Sequence, residues 1–355
     1  MQFNAPTIPP FDHNAANNAH NRQNNLTKPT SSLGRLEEIS IQIAGIQGTM
    51  LPSVEKKAVI IMAADHGVTS EGVSAYPSDV TPQMVMNFLH GKAAINTISQ
   101  YANAKVRIVD IGVNYDFNGT VGLENYKIAY GTANMTKGPA MTAEQTLKAF
   151  HIGYTIAEEE AQAGTKLIAM GEMGIGNTTA SSAIISCITG LPVSAVTGRG
   201  TGIDNNGLTR KIAAIEKAIE INQPDISDAL DVLSKVGGLE IAGLVGVIVG
   251  AAANRIAVVI DGLISSAAAL IAYEIHPEVR LYLLAGHQSV EVGQKAVMDR
   301  LGLKPILDLN MRLGEGTGAA LAFNIIDCAC RTLCEMATFA EAGVSTQGKP
   351  VSLPV

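Results

Sequence analysis

The sequence feature that most constrains the fold is an apolar run, a glycine-rich turn and a helix that follow one another near the middle of the chain. Residues 166–170 (Lys-Leu-Ile-Ala-Met) have the pattern of a buried strand, and residues 180–188 have the small side chains of a packed helix. Between them, residues 171–179 read Gly-Glu-Met-Gly-Ile-Gly-Asn-Thr-Thr. A strand, a glycine turn and a helix in this order are typical of parallel sheets.

This glycine turn is a candidate anion site. Its three glycines let the backbone adopt positive φ and approach a ligand, while Asn177, Thr178 and Thr179 offer cap oxygens and hydroxyl groups. Free N–H groups and the positive end of the helix dipole favour an anion, most often phosphate. The alternative is a turn that only reverses the chain. The sequence has no Walker-type loop and no clean dinucleotide fingerprint, which argues against a P-loop NTPase or an ordinary dinucleotide enzyme.

Strand-like and helix-like segments alternate along most of the chain. Besides the central unit, we predict strands at 58–63, 106–111, 256–261 and 280–285, and helices at 33–47, 81–90 and 143–164. Such alternation favours a parallel sheet covered by helices on both sides. We therefore predict an α/β fold with a Rossmann-like open parallel sheet. A smaller helical domain, built from N-terminal and C-terminal segments, would accompany it.

The start of the chain suggests how these domains are divided. Residues 1–30 are rich in Asn and are predicted to form a tail or a loosely held helix. Residues 31–57 would join part of the C-terminal region in the small helical domain, with Thr30 to Ser32 capping a helix that presents Ile39 and Ile43 on one face. Residues 58–325 would form the large α/β domain.

Composition excludes several classes of partner. Of 355 residues, 47% are hydrophobic and 16% charged, and the net charge of -7 is spread along the chain, so no basic face for nucleic acid is expected. The apolar segments 241–253 and 256–272 are interpreted as core elements rather than membrane spans. The first residues lack a basic start and an apolar segment, so we expect a cytoplasmic protein rather than an exported one.

The four cysteines favour buried thiols over a metal site. Cys328, Cys330 and Cys334 fall in one predicted helix, and Cys187 is remote in sequence, so a second ligand pair is lacking. His66 and His287 could act as acids, bases or ligands, but neither has a Glu or His beside it at metal spacing. We expect neither a metal nor a cofactor.

Two glutamates are candidate catalytic groups. Glu315 stands among glycines just before an alanine-rich helix, where a carboxylate can take up a proton, and it is the first candidate for a general base. The alternative is a carboxylate that only stabilises the helix start. Glu172 could bind a ribose hydroxyl or make a structural hydrogen bond. Lys211 and Arg199 are candidate clamps for phosphate or carboxylate, although Lys211 also suits a solvated helix face.

Six segments in order carry a specific resemblance. They are residues 32–37 (Ser-Leu-Gly-Arg-Leu-Glu), 64–68 (Ala-Asp-His-Gly-Val), 131–136 (Gly-Thr-Ala-Asn-Met-Thr), 172–179 (Glu-Met-Gly-Ile-Gly-Asn-Thr-Thr), 287–289 (His-Gln-Ser) and 312–318 (Arg-Leu-Gly-Glu-Gly-Thr-Gly). Together they closely resemble the nicotinate-nucleotide:dimethylbenzimidazole phosphoribosyltransferase family of the cobalamin lower-ligand pathway. The likeness covers nearly the whole chain after about residue 26.

The resemblance implies a homodimer that transfers phosphoribose from nicotinate mononucleotide to a benzimidazole nitrogen, releasing nicotinate. It implies that Glu315 is the catalytic base; Glu172 or Glu315 could also stabilise positive charge on the ribose. The implied phosphate cradle is Gly174, Ile175, Gly176, Asn177 and Thr178, with further nucleotide contacts from Gly200, Gly202, Lys211 and Ser289. Similarity and position suggest that Tyr76, Pro77, Gln83, Met84 and Leu313 form the apolar slot for the acceptor base.

Two departures from the family pattern stand out. The family commonly has Pro-Pro-Gly where residues 29–31 are Pro-Thr-Ser, and Glu-Pro-Gly-His where residues 291–294 are Glu-Val-Gly-Gln. The alternatives are a non-catalytic nucleotide-binding or ribazole-binding protein on the same fold, and an oxidoreductase, which the missing fingerprint disfavours. The transferase hypothesis requires that the glycine turn and Glu315 face one cavity.

Overall fold

The computed structural model describes residues 6–345 and contains one seven-stranded parallel sheet. Its strands are β1 (Lys57–Ala64), β2 (Ala104–Gly112), β3 (Leu123–Asn125), β4 (Leu167–Met173), β5 (Ala257–Ile260), β6 (Leu283–His287) and β7 (Pro305–Leu307). Their order across the sheet is β3-β2-β1-β4-β5-β6-β7, and every pairing is parallel. The predicted Rossmann-like α/β fold is confirmed.

Helices cover both faces of the sheet. They are α1 (His13–Asn25), α2 (Arg35–Gln47), α3 (Val80–Leu89), α4 (Ala94–Tyr101), α5 (Ala143–Gln162), α6 (Asn177–Thr189), α7 (Val193–Val196), α8 (Asn205–Asn222), α9 (Ala229–Val236), α10 (Leu239–Ala253), α11 (Leu263–Ile275), α12 (Val292–Leu301), α13 (Thr317–Glu335) and α14 (Phe339–Ala342). Short 3-10 helices span Gly67–Glu71 and Pro277–Tyr282.

The most apolar segment of the sequence forms the buried helix α10, as the interpretation of 241–253 as a core element predicted. Its close packing on α5 depends on glycine, because a Cβ at Gly153 would lie 1.8 Å from the carbonyl oxygen of Gly243. All eight residues of β1 are buried, as expected for a strand covered on both faces. Within residues 6–345, no helix is both long and apolar enough to span a membrane.

The strand predicted at 256–261 is confirmed as β5, and Asp261 and Gly262 separate it from α11. Two other boundaries differ from the sequence prediction. The strand predicted at 280–285 starts only at Leu283, since the preceding residues form a 3-10 helix. The predicted cap at Thr30 to Ser32 is wrong: Gly34 precedes α2, at φ 51°, and has no side chain to cap it.

The N-terminal helix packs against the end of the same chain. The Nε of Arg22 in α1 donates to the carbonyl oxygen of Leu333 at 2.9 Å, and Leu26 pairs with Thr338 in an antiparallel bridge. Ala19, Ala44 and Leu333, from α1, α2 and α13, form a small buried cluster. These contacts bring the two chain ends together, while the division at residues 30, 57 and 325 stays a prediction.

The strand order reverses between β1 and β4, and this reversal positions the site. In open parallel sheets, ligands bind in the crevice beyond the carboxyl ends of strands at such a switch point. Ala63 at the end of β1 pairs in register with Met173 at the end of β4. The segment after β1, which carries Asp65 and His66, and the glycine turn after β4 therefore begin side by side.

Candidate active site

The three glycines of the central turn have different structural roles. Only Gly176, at φ 97°, adopts a left-handed conformation. Gly174 is required by close contact, because a Cβ there would lie 2.2 Å from the carbonyl oxygen of Ala64. A Cβ at Gly171, which is still in β4, would lie 2.7 Å from the carbonyl oxygen of Glu315. The prediction that all three glycines provide positive φ is therefore correct for Gly176 alone.

The start of α6 carries no side-chain cap, contrary to the role predicted for Asn177. Gly176 occupies the N-cap position, and the Nδ2 of Asn177 instead donates to the Oε2 of Glu172 at 2.5 Å. The hydroxyl oxygen of Thr178 accepts a hydrogen bond from the Nζ of Lys211 at 2.8 Å. An uncapped helix start with a lysine behind it favours an anion such as phosphate.

Glu315 lies in a loop of three consecutive left-handed residues. Gly314, Glu315 and Gly316 have φ values of 86°, 63° and 85°. A left-handed glutamate is uncommon and requires support from its surroundings. Asp261, directly after β5, provides that support: its Oδ1 accepts from the backbone N–H of Gly318 at 2.7 Å, and its Oδ2 from that of Gly316 at 3.2 Å. The sheet thereby fixes the loop that carries Glu315.

The Glu315 loop also contacts the end of β4. The backbone N–H of Glu315 donates to the Oε1 of Glu172 at 3.3 Å. A Cβ at Gly314 would lie only 2.4 Å from the same oxygen, so glycine is needed there for contact as well as for φ. Two acids separated by 143 residues in sequence thus belong to one hydrogen-bonded cluster.

Burial and neighbouring charge shift the proton affinity of both acids. Burial, followed by the charges of Asp261 and Glu240, raises the pKa of Glu172 to about 8. Burial and the charge of Asp261 raise the pKa of Glu315 to about 7, although the backbone N–H of Ile95 opposes the shift. A carboxyl group with a pKa near neutrality can exchange protons at physiological pH, as a general base must.

One cavity of about 680 Å³ lies between the glycine turn and the Glu315 loop. Of the residues predicted for the site, its lining includes Tyr76, Met84, Glu172, Gly174, Ile175, Asn177, Thr178, Gly200, Ser289, Leu313 and Glu315. The two segments that the transferase hypothesis requires to converge do share this cavity.

Comparison with known proteins supports the same family. A family model described as phosphoribosyltransferase matches residues 8–344. A protein from Chloroflexus aggregans is 59% identical over 95% of this chain and 96% of its own length, and one from Geobacter sulfurreducens is 54% identical over 95% and 96%. Both are named nicotinate-nucleotide–dimethylbenzimidazole phosphoribosyltransferase. The chain belongs to this phosphoribosyltransferase family.

Solved structures of the family share the fold. A nicotinate-nucleotide–dimethylbenzimidazole phosphoribosyltransferase from Thermus thermophilus superposes with a TM-score of 0.90 at 42% identity, covering 95% of this chain and 100% of that one. A structure described as CobT from the same organism gives a TM-score of 0.91 at 43% identity, with coverages of 94% and 100%.

Five residues predicted for the site lie outside the cavity lining of this phosphoribosyltransferase. They are Pro77, Gln83, Gly176, Gly202 and Lys211. Pro77 and Gln83 are exposed, whereas Lys211 is fully buried behind Thr178. Burial lowers the pKa of Lys211 to about 8, although the charge of Glu291 opposes the shift. Any part that these five residues play in substrate binding stays a prediction.

The two histidines occupy different positions. The Nε2 of His66 lies 2.6 Å from the Oε1 of Glu240; both side chains are buried, and neither lines the cavity. Burial lowers the pKa of His66, but Glu240 and Asp65 together exceed this effect, so the net pKa of the histidine is raised. His287 lines the cavity, with its Nε2 3.5 Å from the Oδ1 of Asp261. Between residues 6 and 345, no group of three or more His, Cys, Asp or Glu could hold a metal ion.

The sequence did not predict that Asp261 fixes the Glu315 loop or that Glu291 lines the cavity. The available signal for Asp261 was an acid directly followed by Gly262 at the end of a buried strand. Glu291 accepts a hydrogen bond from the backbone N–H of Gly200 at 2.9 Å and so fixes that loop at the cavity edge. Val80, Met173, Thr201, Leu263, Ile264 and Arg312 are further lining residues that were not predicted.

Proposed function

We propose that this chain transfers phosphoribose from nicotinate mononucleotide to dimethylbenzimidazole or a related base. The products are alpha-ribazole 5'-phosphate and nicotinate, and the reaction belongs to cobalamin nucleotide-loop assembly. The observation that carries this proposal is the shared cavity, in which an uncapped helix start faces a buried glutamate with a pKa near 7. The names of the relatives in the same family support the choice of substrates.

In the proposed reaction, Glu315 acts as the general base. An unprotonated nitrogen of the acceptor attacks the anomeric carbon of the ribose as the bond to the pyridinium nitrogen breaks. The second acceptor nitrogen then loses its proton to the Glu315 carboxylate. Nicotinate leaves without acid assistance, because the electron pair of the broken bond neutralises the positive charge of the pyridinium ring.

Glu172 has an electrostatic part in this proposal. Positive charge develops on the ribose in the transition state, and a nearby carboxylate stabilises it. The side chain is held by Asn177 on one oxygen and by the N–H of Glu315 on the other, so it is oriented before the substrate binds. The positive charge of the bound donor would also favour the ionised form of both glutamates, since it offsets the repulsion from Asp261.

The donor phosphate is proposed to bind at the start of α6. Its cradle is Gly174, Ile175, Gly176, Asn177 and Thr178, with Gly200, Gly202, Lys211 and Ser289 as further nucleotide contacts. Lys211 would act through Thr178, whose hydroxyl it contacts, rather than by touching the phosphate itself. This indirect contact keeps the lysine buried while its charge remains close to the anion.

The acceptor base is proposed to occupy an apolar slot at the same cavity. Tyr76, Met84 and Leu313 line it, and Pro77 and Gln83 stand next to Tyr76 and Met84 in the sequence. A flat aromatic acceptor suits such walls, because it buries its faces against apolar side chains.

A direct assay tests the proposal. The purified chain is incubated with nicotinate mononucleotide and dimethylbenzimidazole, and the formation of nicotinate and of the ribazole phosphate is followed by chromatography. We expect both products in equal amounts. Nucleotide binding without release of nicotinate would instead support the second candidate, a non-catalytic nucleotide-binding or ribazole-binding protein on the same fold.

We also propose a cytoplasmic homodimer. The dimer is inferred from the family resemblance, and the four free cysteines are compatible with a reducing compartment. Light scattering of the purified chain tests the dimer, for which we expect twice the mass of 37.0 kDa. A mass of one chain at the concentrations of the assay would contradict it.

A further inference from the structure

Arg312 is a cation at the mouth of the cavity with most of its hydrogen-bonding capacity unused. Its exposed guanidinium lines the cavity, and Nη1 donates to the carbonyl oxygen of Gly200 at 3.1 Å. No other hydrogen bond or ion pair of this side chain is found within residues 6–345. A guanidinium carries five N–H donors in a planar fork, so a second, anionic partner can be bound without breaking the contact to Gly200.

The rest of the lining, over the described residues, offers no comparable group. The other basic side chain is His287, which is buried and faces the carboxylate of Asp261 at 3.5 Å, so a positive charge on this ring would already have a partner. The remaining ionisable side chains of the lining include Glu172, Glu291 and Glu315. Among the described lining residues, an anionic group on a ligand would therefore find cationic or N–H partners near the start of α6 and near Arg312.

The donor in the proposed reaction carries two anionic groups, a phosphate and the carboxylate of its pyridine ring. The phosphate is assigned to the start of α6, which leaves the ring carboxylate without a partner. We infer that Arg312 binds this carboxylate and so makes the site select a pyridine-carboxylate nucleotide over the corresponding amide. The inference rests on the proposed function and adds to it the residue that determines donor specificity.

A competing partner for Arg312 is the phosphate itself. Gly200, which Arg312 contacts, lies beside the phosphate turn, since a Cβ at this glycine would be 2.8 Å from the hydroxyl oxygen of Thr178. An indirect effect is a further alternative, because loss of the bond to Gly200 could disturb the loop for every ligand. The test must therefore separate the two anionic groups of the donor and must cancel any effect that is common to all ligands.

Calorimetry with three ligands achieves this separation. Arg312→Met and the unaltered chain are titrated with nicotinate mononucleotide, with nicotinamide mononucleotide, which lacks the carboxylate, and with nicotinate riboside, which lacks the phosphate. We expect Arg312→Met to weaken binding of both carboxylate ligands about 10- to 100-fold, the range for a hydrogen bond to a charged group. Binding of nicotinamide mononucleotide should change by no more than about twofold, which is within the variation of hydrogen-bond energies between different surroundings.

Arg300→Met is the matched control, because this exposed arginine of α12 pairs with Glu274 at 2.9 Å and does not line the cavity. It should leave the binding of all three ligands unchanged. The inference would be overturned if Arg312→Met weakened the binding of nicotinate mononucleotide and of nicotinamide mononucleotide equally. If Arg312→Met left the binding of nicotinate riboside unchanged, Arg312 would be assigned to the phosphate. If the unaltered chain bound none of the three ligands, the proposed function itself would fail.

Discussion

The carboxylate of Glu172 accepts a hydrogen bond from the backbone N–H of Glu315 at 3.3 Å. This contact joins the end of β4 to the loop before α13, so the two acids cannot be positioned independently. Asp261 stands beside both and raises both of their pKa values through its charge. The site is thus a coupled group of buried acids, and the following predictions test its parts separately.

Replacing Glu315 with Gln should abolish most turnover and leave donor binding intact. Glutamine has nearly the same shape but cannot accept the proton from the acceptor base, and loss of a general base lowers the rate by about 100- to 10,000-fold. Turnover is measured as nicotinate release, and donor binding by calorimetry. An unchanged rate would remove Glu315 from the mechanism.

The pH dependence of kcat/KM should show two groups that must lose their protons, with inflections near pH 8 and near pH 7. The first follows from the pKa of Glu172, which burial and the charges of Asp261 and Glu240 raise to about 8, and the second from that of Glu315, which burial and Asp261 raise to about 7. The rate should fall about tenfold per pH unit between these two values and more steeply below pH 7, because each protonated acid lowers the active fraction of the enzyme.

Asp261→Asn identifies the cause of the inflection near pH 7 that is assigned to Glu315. The substitution removes the negative charge that disfavours ionisation of Glu315, so the inflection should move to lower pH. The maximal rate should also fall, because the hydrogen bonds that fix the Glu315 loop are weakened. An inflection at the same pH in this variant would show that burial alone raises the pKa.

Glu172 should make the protein less stable as the pH rises. Its pKa is raised from 4.5 to about 8 in the folded state, so the folded chain holds a proton that the unfolded chain releases. The corresponding stabilisation is fully present below about pH 4.5 and is lost as the pH rises through about 8.

Glu172→Gln should remove this dependence. Between about pH 5 and about pH 8, its free energy of unfolding should fall by about 3 kcal/mol less than that of the unaltered chain, as measured by urea denaturation. Glu220→Gln, on the exposed surface of α8, serves as the control and should keep the original pH dependence. Parallel curves for all three proteins would refute a raised pKa at Glu172.

Gly314→Ala should lower activity and stability by more than backbone strain alone would cause. The new methyl group would lie 2.4 Å from the Oε1 of Glu172, so the Glu315 loop must move. A displacement of about 1 Å at a catalytic group lowers the rate by about 100-fold.

Gly91→Ala provides the comparison for this variant. Gly91 has a left-handed φ of 69° with no atom within 4 Å of the new Cβ, so it reports the strain alone, about 1–2 kcal/mol. Gly314→Ala should lose more stability than Gly91→Ala, as well as most of its turnover. Equal losses of stability with full activity in both would contradict the contact between Gly314 and Glu172.

Local sequence determined the elements and several of the chemical groups. The apolar runs of β1, β4 and α10 are continuous because both faces of these elements are buried, and such runs are readable without a structure. The glycine turn and the glutamate among glycines were also visible, because each combines a backbone requirement with a polar group. The errors lay where neighbours in space decide, as at Asn177, whose side chain binds Glu172 instead of capping its helix.

Only the tertiary structure decided how these groups act together. Strand order brings the end of β4 beside the loop before α13, and burial in that environment, together with Asp261, moves the glutamate pKa values toward neutrality. A sequence records which groups are present, but proton affinity depends on solvent exclusion and on charges a few ångströms away. Those distances are set by chain segments that are far apart in sequence.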